Sequence, residues 1–343
     1  MSGLCGQPVA VVGAGQIVEF AHLPAYRALG IPVAGVWARD AARAAALAAQ
    51  APGARAYASL DELLADSRVR IVDVAVTAAA QPEIALRALR AGKHLLCQKP
   101  FATSLEPARE IVAEAAARGL RVAVNQNMRW EPTIEQVKAR IEDGRLGRPV
   151  AAFVEVNVPG GWPPPEHWLA REPRMLGLYE AVHTLDAARF LFGEPARVTA
   201  RAIADPRQQV AGDSWVAAWL EWDDGPFMTF SERWANAAGD VVATVRVEGT
   251  RGAVRGRMGN FDDYPNPVPH VVEAIDYADG RWQVVEAERS WIPEGFRGPV
   301  AELIHAIEEG REPSVSGADN LRTLALVEAV YRSSETLRTV APA

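Results

Sequence analysis

Pro8-Val9-Ala10-Val11-Val12-Gly13-Ala14-Gly15-Gln16-Ile17-Val18 is the stretch on which the fold of this chain turns. A run of apolar β-forming residues flows directly into two glycines separated by one residue, which is how a dinucleotide-binding βαβ unit begins. The run reads as a buried strand. Gly13 permits the tight turn, and Gly15 lets the backbone approach a pyrophosphate whose charge the next helix N-terminus stabilises, with Ala14, Gln16 and Ile17 completing the loop. Val18 stands where the third glycine of G-x-G-x-x-G is expected. That glycine serves helix–strand packing, so the change strains the fingerprint and leaves the anion site in place. Taken alone the fingerprint also fits an ordinary strand–turn–helix, so the flanking sequence has to decide.

Outward from this stretch, β-rich apolar runs at 8–12, 31–37, 71–76, 94–98 and 121–125 alternate with alanine-rich amphipathic segments. That rhythm predicts an α/β, doubly wound parallel sheet of Rossmann type over residues 1–125. Asp40 and Ser59 are placed to cap the helices that follow them, and Gly119 to stop the one that ends at Arg118. Beyond residue 125 the period shortens to two, in 150–158, 214–222, 227–233 and 241–249, predicting an α+β second domain, 126–343, with a largely antiparallel sheet. Two helices follow, one striped by Val300, Leu303, Ile304 and Ile307 and ending at Gly310, the other carrying Leu321, Leu324 and Tyr331 after Asp319. Trp215, Ala217 and Trp219 share one strand face; Val216, Ala218, Leu220 and Trp222 share the other. This predicts a strand covered on both sides, by core and by a flat subunit interface.

The 343 residues suit two domains, and 49% apolar with 23% charged residues is ordinary for a soluble protein. A net charge of -7 with no Lys/Arg run argues against nucleic acid. Cys5 and Cys97, the only cysteines, are too few for a disulfide scaffold or thiolate metal site. No apolar run approaches the ~20 residues of a membrane span. The expectation is a cytoplasmic protein with no membrane partner and no metal, since the six histidines are scattered and H-E-x-x-H, G-x-S-x-G and G-K-[ST] are all missing.

A second motif, Arg90-Ala91-Gly92-Lys93-His94-Leu95-Leu96-Cys97-Gln98-Lys99-Pro100, is a helix stop, a strand, and a lysine at the strand's carboxyl end, where open α/β sheets hold ligands. Downstream, Gly177-Leu178-Tyr179-Glu180-Ala181-Val182-His183-Thr184-Leu185-Asp186 is helical and bears a histidine. With the opening glycines and the closing Ala318–Leu321 and Tyr331–Ser334, the chain resembles the Gfo/Idh/MocA family of nicotinamide-dependent oxidoreductases over nearly its whole length. The resemblance implies a Rossmann domain followed by a domain with a large open sheet that pairs subunits, as a dimer or tetramer, with catalysis between the two. It places the family's Glu-Lys-Pro lysine on Lys99 and its Asp-x-Gly-x-His-x-x-Asp histidine on His183. Substrates in the family are mostly sugars, cyclitols and their derivatives, oxidised or reduced at one carbinol or carbonyl carbon.

Hydride delivery to a carbonyl leaves an alkoxide, so a cation and a proton donor must converge on that oxygen. Lys99 supplies the charge; His183, with an ordinary pKa of about 6.5, exchanges the proton near neutrality. Glu180 and Asp186, three residues either side, are spaced to orient its ring. Two departures from the family pattern stand beside these residues: Gln98 replaces the glutamate before the lysine, and Tyr179 occupies the usual aspartate position. Tyr179 can donate a hydrogen bond to the reacting group but is a poor base. The departures motivate a rival reading, a catalytically silent nicotinamide-binding sensor.

For the cofactor, Ala38 stands where an acid would bond the adenosine ribose, and Arg39 beside it can meet a 2'-phosphate, favouring NADP over NAD. Thr77 and Ala78 after the third apolar run, Gln98 and Lys99, and Asn127 after the last Rossmann strand complete the expected cofactor contacts. Substrate contacts fall on Lys99, Arg129, Tyr179, Glu180 and His183, and on Trp162 and His167 in the proline-stiffened loop 160–168, with bracing of the domain junction the alternative for Arg129 and a structural crossover the alternative for the loop.

Overall fold

The computed structural model describes residues 7–342; Cys5 lies outside them. The chain divides into two units, one holding the residues up to Asn127 together with Pro293–Leu324, the other Met128–Ile292 and the residues from Ala325 onward.

The first unit starts with β1 (Val9–Val12), every residue buried. In chain order follow α1 (Leu23–Leu29), β2 (Val33–Trp37), α2 (Ala41–Ala48), β3 (Arg55–Ala56), α3 (Leu60–Ala65), β4 (Ile71–Val74), α4 (Gln81–Arg90), β5 (His94–Cys97), α5 (Leu105–Arg118) and β6 (Val122–Val124). The strands form one six-stranded parallel sheet in the order β3-β2-β1-β4-β5-β6. Strand order reverses on either side of β1, which opens a crevice at the carboxyl ends of β1 and β4. The helix signals act as the sequence implies: Asp40 accepts from Arg43 N–H at 3.1 Å, Ser59 from Glu62 N–H at 3.0 Å, and Gly119 closes α5 at φ 64°. Edge strand β3 escapes the apolar-run reading because its two residues are both exposed.

The second unit contains α6 (Pro132–Glu142), β7 (Pro149–Pro159), α7 (Met175–Tyr179), α8 (Ala181–Phe192), β8 (Arg197–Ile203), β9 (Trp215–Glu221), β10 (Phe227–Asn236), β11 (Val242–Gly249), β12 (Gly252–Arg257), β13 (Val271–Asp276) and β14 (Arg281–Glu286). Eight strands form one sheet, β14-β13-β12-β11-β7-β10-β9-β8, antiparallel throughout except for the β10–β7 pair. One face presents Val154, Val156, Val216, Leu220, Met228, Phe230, Val245 and Val247, all buried, and α6 and α7 pack on this sheet. The other face is open: Trp219 is 55% exposed, Phe227 44% and Phe153 42%. In the single chain Val216, Ala218 and Leu220 of β9 face the core, while Trp219 stands exposed on the opposite face, the one the sequence assigns to a subunit interface.

Late in the chain, α9 (Arg297–Glu309) rejoins the first unit. It packs on α1, β5 and β6 through Val300, Leu303 and Ile304, all fully buried, and stops at Gly310 with φ 69°. Val124 N–H then bonds Val315 O at 2.8 Å, extending β6 sideways. Helix α10 (Gly317–Thr336) starts where Ser316 Oγ accepts from Asp319 N–H at 3.1 Å, so the cap is three residues earlier than Asp319.

Candidate active site

In the first unit, Gly13 closes the turn after β1 at φ 123°, with its N–H on Trp37 O at 2.8 Å. A Cβ there would lie 2.1 Å from the Ala75 carbonyl oxygen, so no other residue fits. Over exposed Gly15 a Cβ would meet nothing within 4 Å, which leaves the backbone open to a bulky anion. This cradle suits a pyrophosphate, flanked by Ala14, Gln16 and Ile17. Val18, in place of a third glycine, is fully buried, and the helix begins there as a wide π turn, Val18–His22, with Leu23 N–H reaching back to Val18 O.

Ala38 and Arg39 follow β2. Arg39 is exposed, and its guanidinium makes no hydrogen bond or ion pair among the described residues. Asp40 is committed to the α2 cap, which leaves Arg43, three residues on and also exposed, with a guanidinium equally unengaged among the described residues. Arg43 carries no motif and sits on the first turn of α2, after the Asp40 cap. Thr77 and Ala78 follow β4, the Thr77 carbonyl accepting from Ala80 and Gln81 N–H. Beyond β5, buried Gln98 turns inward: its Oε1 accepts from Lys99 N–H at 3.0 Å and its Nε2 lies 2.7 Å from His22 Nε2. Asn127, also buried, places Nδ2 3.5 Å from Asn125 Oδ1.

In the second unit, α7 ends at Tyr179 and α8 begins after a break at Glu180, whose φ of -123° is not helical. His183, on the first turn of α8 and 7% exposed, donates its N–H to Glu180 O and sets its ring edge-on to Trp291, centroids 5.3 Å apart. Asp186 closes on Arg129, which grips its two oxygens at 2.6 and 2.8 Å, with Arg189 at 3.6 Å. Arg129 is buried in this pairing. Burial, and the charge of Glu172, raise the Tyr179 phenol above its ordinary pKa, so it stays a proton donor.

Trp162, His167, Trp168 and Tyr179 form a succession of rings, with centroid separations of 4.8, 5.5 and 5.3 Å. Trp162 and Trp168 are exposed, whereas burial pulls the His167 pKa below the usual histidine value and its Nδ1 accepts from Leu169 N–H at 3.3 Å. Trp168 and Trp291 were not among the expected site residues. Trp168 belongs to the same proline-stiffened loop as Trp162 and His167, whereas Trp291 is remote in sequence from every motif.

Residues 8–126 match the NAD-binding Rossmann-fold domain of the Gfo/Idh/MocA oxidoreductases, and residues 138–341 match the family's C-terminal alpha/beta domain. The chain belongs to the Gfo/Idh/MocA family. It is a nicotinamide-dependent oxidoreductase. Among its relatives, D-apiose dehydrogenase of Paraburkholderia graminis is 31% identical over 93% of this chain and 85% of that one. The 1,5-anhydro-D-fructose reductase of Ensifer adhaerens is 28% identical over 95% and 96%. An oxidoreductase from Agrobacterium radiobacter, solved in complex with NAD+, L-tartaric acid and magnesium, superposes with a TM-score of 0.86 at 26% identity, covering 98% of both chains. In this family member no helix among the described residues is long and apolar enough to cross a membrane.

Proposed function

We propose that this protein is an NADP-preferring dehydrogenase or reductase of a sugar or sugar-like polyol. Gly13 to Ile17 hold the pyrophosphate, Ala38 leaves room at the ribose, and Arg39 with Arg43 meets the 2'-phosphate. Thr77, Ala78 and Asn127 flank the nicotinamide. Bound there, the dinucleotide accepts or supplies the hydride. In the oxidative direction His183 takes the hydroxyl proton while Lys99 stabilises the charge growing on oxygen; in reduction the same imidazole returns the proton. Tyr179 donates a hydrogen bond to a neighbouring substrate hydroxyl, and Glu180 offers an acceptor.

The observation that carries the reading is a lysine just beyond the carboxyl end of β5, in the same parallel sheet whose β1 runs into a glycine loop with open space over Gly15. The exposed indoles of Trp162 and Trp168 support a ring-shaped substrate, since aromatic faces pack on the C–H faces of sugars. Relatives named for D-apiose and 1,5-anhydro-D-fructose point the same way. The open face of the second sheet, carrying Trp219, Phe227 and Phe153, supports a homo-oligomer. Cysteine scarcity and net negative charge suit a reducing, cytoplasmic setting.

A panel of aldoses, ketoses, anhydrosugars and cyclitols, run with NADP(H) and NAD(H), tests the proposal. Turnover of at least one polyol with kcat/KM at least tenfold higher for the phosphorylated cofactor is expected. Arg39→Ala with Arg43→Ala should narrow that ratio by ~10–100-fold, the scale of a lost charge-assisted phosphate contact. Dinucleotide binding coupled to sugar binding, with no hydride exchange across the panel, would replace the enzyme with a sensor.

A further inference from the structure

Within the first unit, six buried polar side chains from the π turn, α1, β4, α4 and the ends of β5 and β6 join into one network. Asp73 Oδ2, on β4, lies 2.6 Å from His22 Nδ1 and accepts from Tyr26 Oη at 2.6 Å. With the carboxylate accepting, His22 donates through Nδ1. The orientation of Gln98 is fixed independently: its Oε1 receives Lys99 N–H, so its amide nitrogen faces His22 Nε2 at 2.7 Å, and Asn125 Nδ2 approaches the same atom at 3.3 Å. Nε2 is thus the acceptor, and every hydrogen bond from Asp73 to the Lys99 backbone runs in one consistent direction. From the other side Gln81 accepts from Gln98 N–H at 2.9 Å and donates to the carbonyls of Gln98 and Phe101 at 2.8 Å and of Pro100 at 3.3 Å. His22, Asp73, Gln81 and Gln98 are all at most 7% exposed.

From this geometry we infer that His22 is a positioning residue for Lys99. It orients Gln98, and Gln98 with Gln81 grips both sides of the 98–101 turn, fixing the direction in which the lysine leaves the sheet. The inference rests on the reading of Lys99 as the group that polarises the reacting oxygen. Stability alone does not account for the network. Asp73 Oδ1 is buried with no hydrogen-bond partner among the described residues, an arrangement that costs stability where apolar residues would not. Aim does account for it, because catalytic geometry tolerates little displacement.

The chain has three lysines, Lys93, Lys99 and Lys138, so the aim of Lys99 can be read directly by competitive acetylation with acetic anhydride, using the other two as internal references. Gln98→Met keeps the volume and removes both amide hydrogen bonds; His22→Asn removes the ring. Each should change Lys99 labelling at least threefold relative to Lys93 and Lys138 and speed hydrogen exchange of the Lys99 amide. NADPH affinity of His22→Asn, titrated by fluorescence, should move less than twofold. With the polyol found by the panel, kcat should fall at least tenfold at near-constant KM, and the double variant should be no worse than the more impaired single one. Gln98→Glu keeps the acceptor for Lys99 N–H and offers a carboxylate to the ring; it should protect the Lys99 amide again and add a second imidazole proton to His22 in nitrogen NMR of the labelled histidines. Unchanged labelling and amide exchange at Lys99 in both single variants overturn the inference, as does a loss of kcat that only tracks a fall in Tm. Wild-type turnover by Lys99→Met would instead sink the role given to the lysine, while the labelling and exchange data still report on the network.

Discussion

A cation beside a carbonyl oxygen is useful only in so far as it is aimed, and Lys99 leaves a turn held by side chains on both sides. Lys99→Met should lower kcat by ~10²–10³-fold while retaining NADPH binding, the scale of losing one preorganised donor at a developing oxyanion. Lys99→Arg should not restore it, because a planar fork does not reproduce a point charge. His94, at the other end of the same strand, makes a different prediction. Burial, and then the charges of Arg70 and Arg121, pull its pKa down to about 4. Below the ordinary value of about 6.5 the unfolded chain takes up a proton that the folded chain refuses, so stability falls as pH drops through that window. Thermal melts from pH 7 to 4 should show this slope, and His94→Gln should flatten it. Lys99 and His183 were candidates from the sequence alone, because hydride chemistry needs few residue types and both stood in motifs. His22 was not, since its meaning depends on a contact 76 positions away that no local pattern encodes.

At the scale of elements, α7 is too short to hold its own shape and depends on what grips it. Asp213, just before β9, accepts from Gly177 N–H at 2.7 Å and from Tyr331 Oη at 3.1 Å, and a Cβ on Gly177 would sit 2.4 Å from that phenol oxygen. Gly177→Ala should cost ~1–3 kcal/mol by overpacking and Asp213→Ala a similar amount through the partners it strands, both read by urea denaturation. Because the same helix ends at Tyr179, kcat should fall in each beyond what the unfolded fraction explains. The sequence disclosed four strands of the second sheet and passed over β8 and β13, whose burial also alternates but over few large apolar residues. Strands β7, β9, β10 and β11 alternate cleanly, whereas β12 is interrupted by Gly252 and Gly256 and edge strand β14 runs through Arg281, Gln283 and Glu286 with little of it buried. The helical spacing that set Asp186 beside His183 was sound geometry, but the carboxylate faces Arg129, which no local spacing foretells.

For the whole molecule, the open sheet face sets the next test. Trp219, Thr229, Phe153 and Arg246 stand opposite one another in register across β9, β10, β7 and β11, forming an aromatic row with charged company. If copies associate there, Trp219→Glu with Phe153→Glu should convert a dimer or tetramer to smaller species in sedimentation velocity, leaving far-UV circular dichroism unchanged. A monomeric wild type would remove the oligomer from the proposal. The return of Pro293–Leu324 to the first unit has a consequence during synthesis. The Rossmann sheet leaves the ribosome early, yet the cover that α9 gives to β5 and β6, and the Val315 carbonyl that receives Val124 N–H, arrive only after the intervening second unit has been translated. Through that interval the nascent sheet carries an apolar flank awaiting Val300, Leu303 and Ile304, so premature termination upstream of Pro293 should yield a chaperone client rather than a dinucleotide-binding fragment.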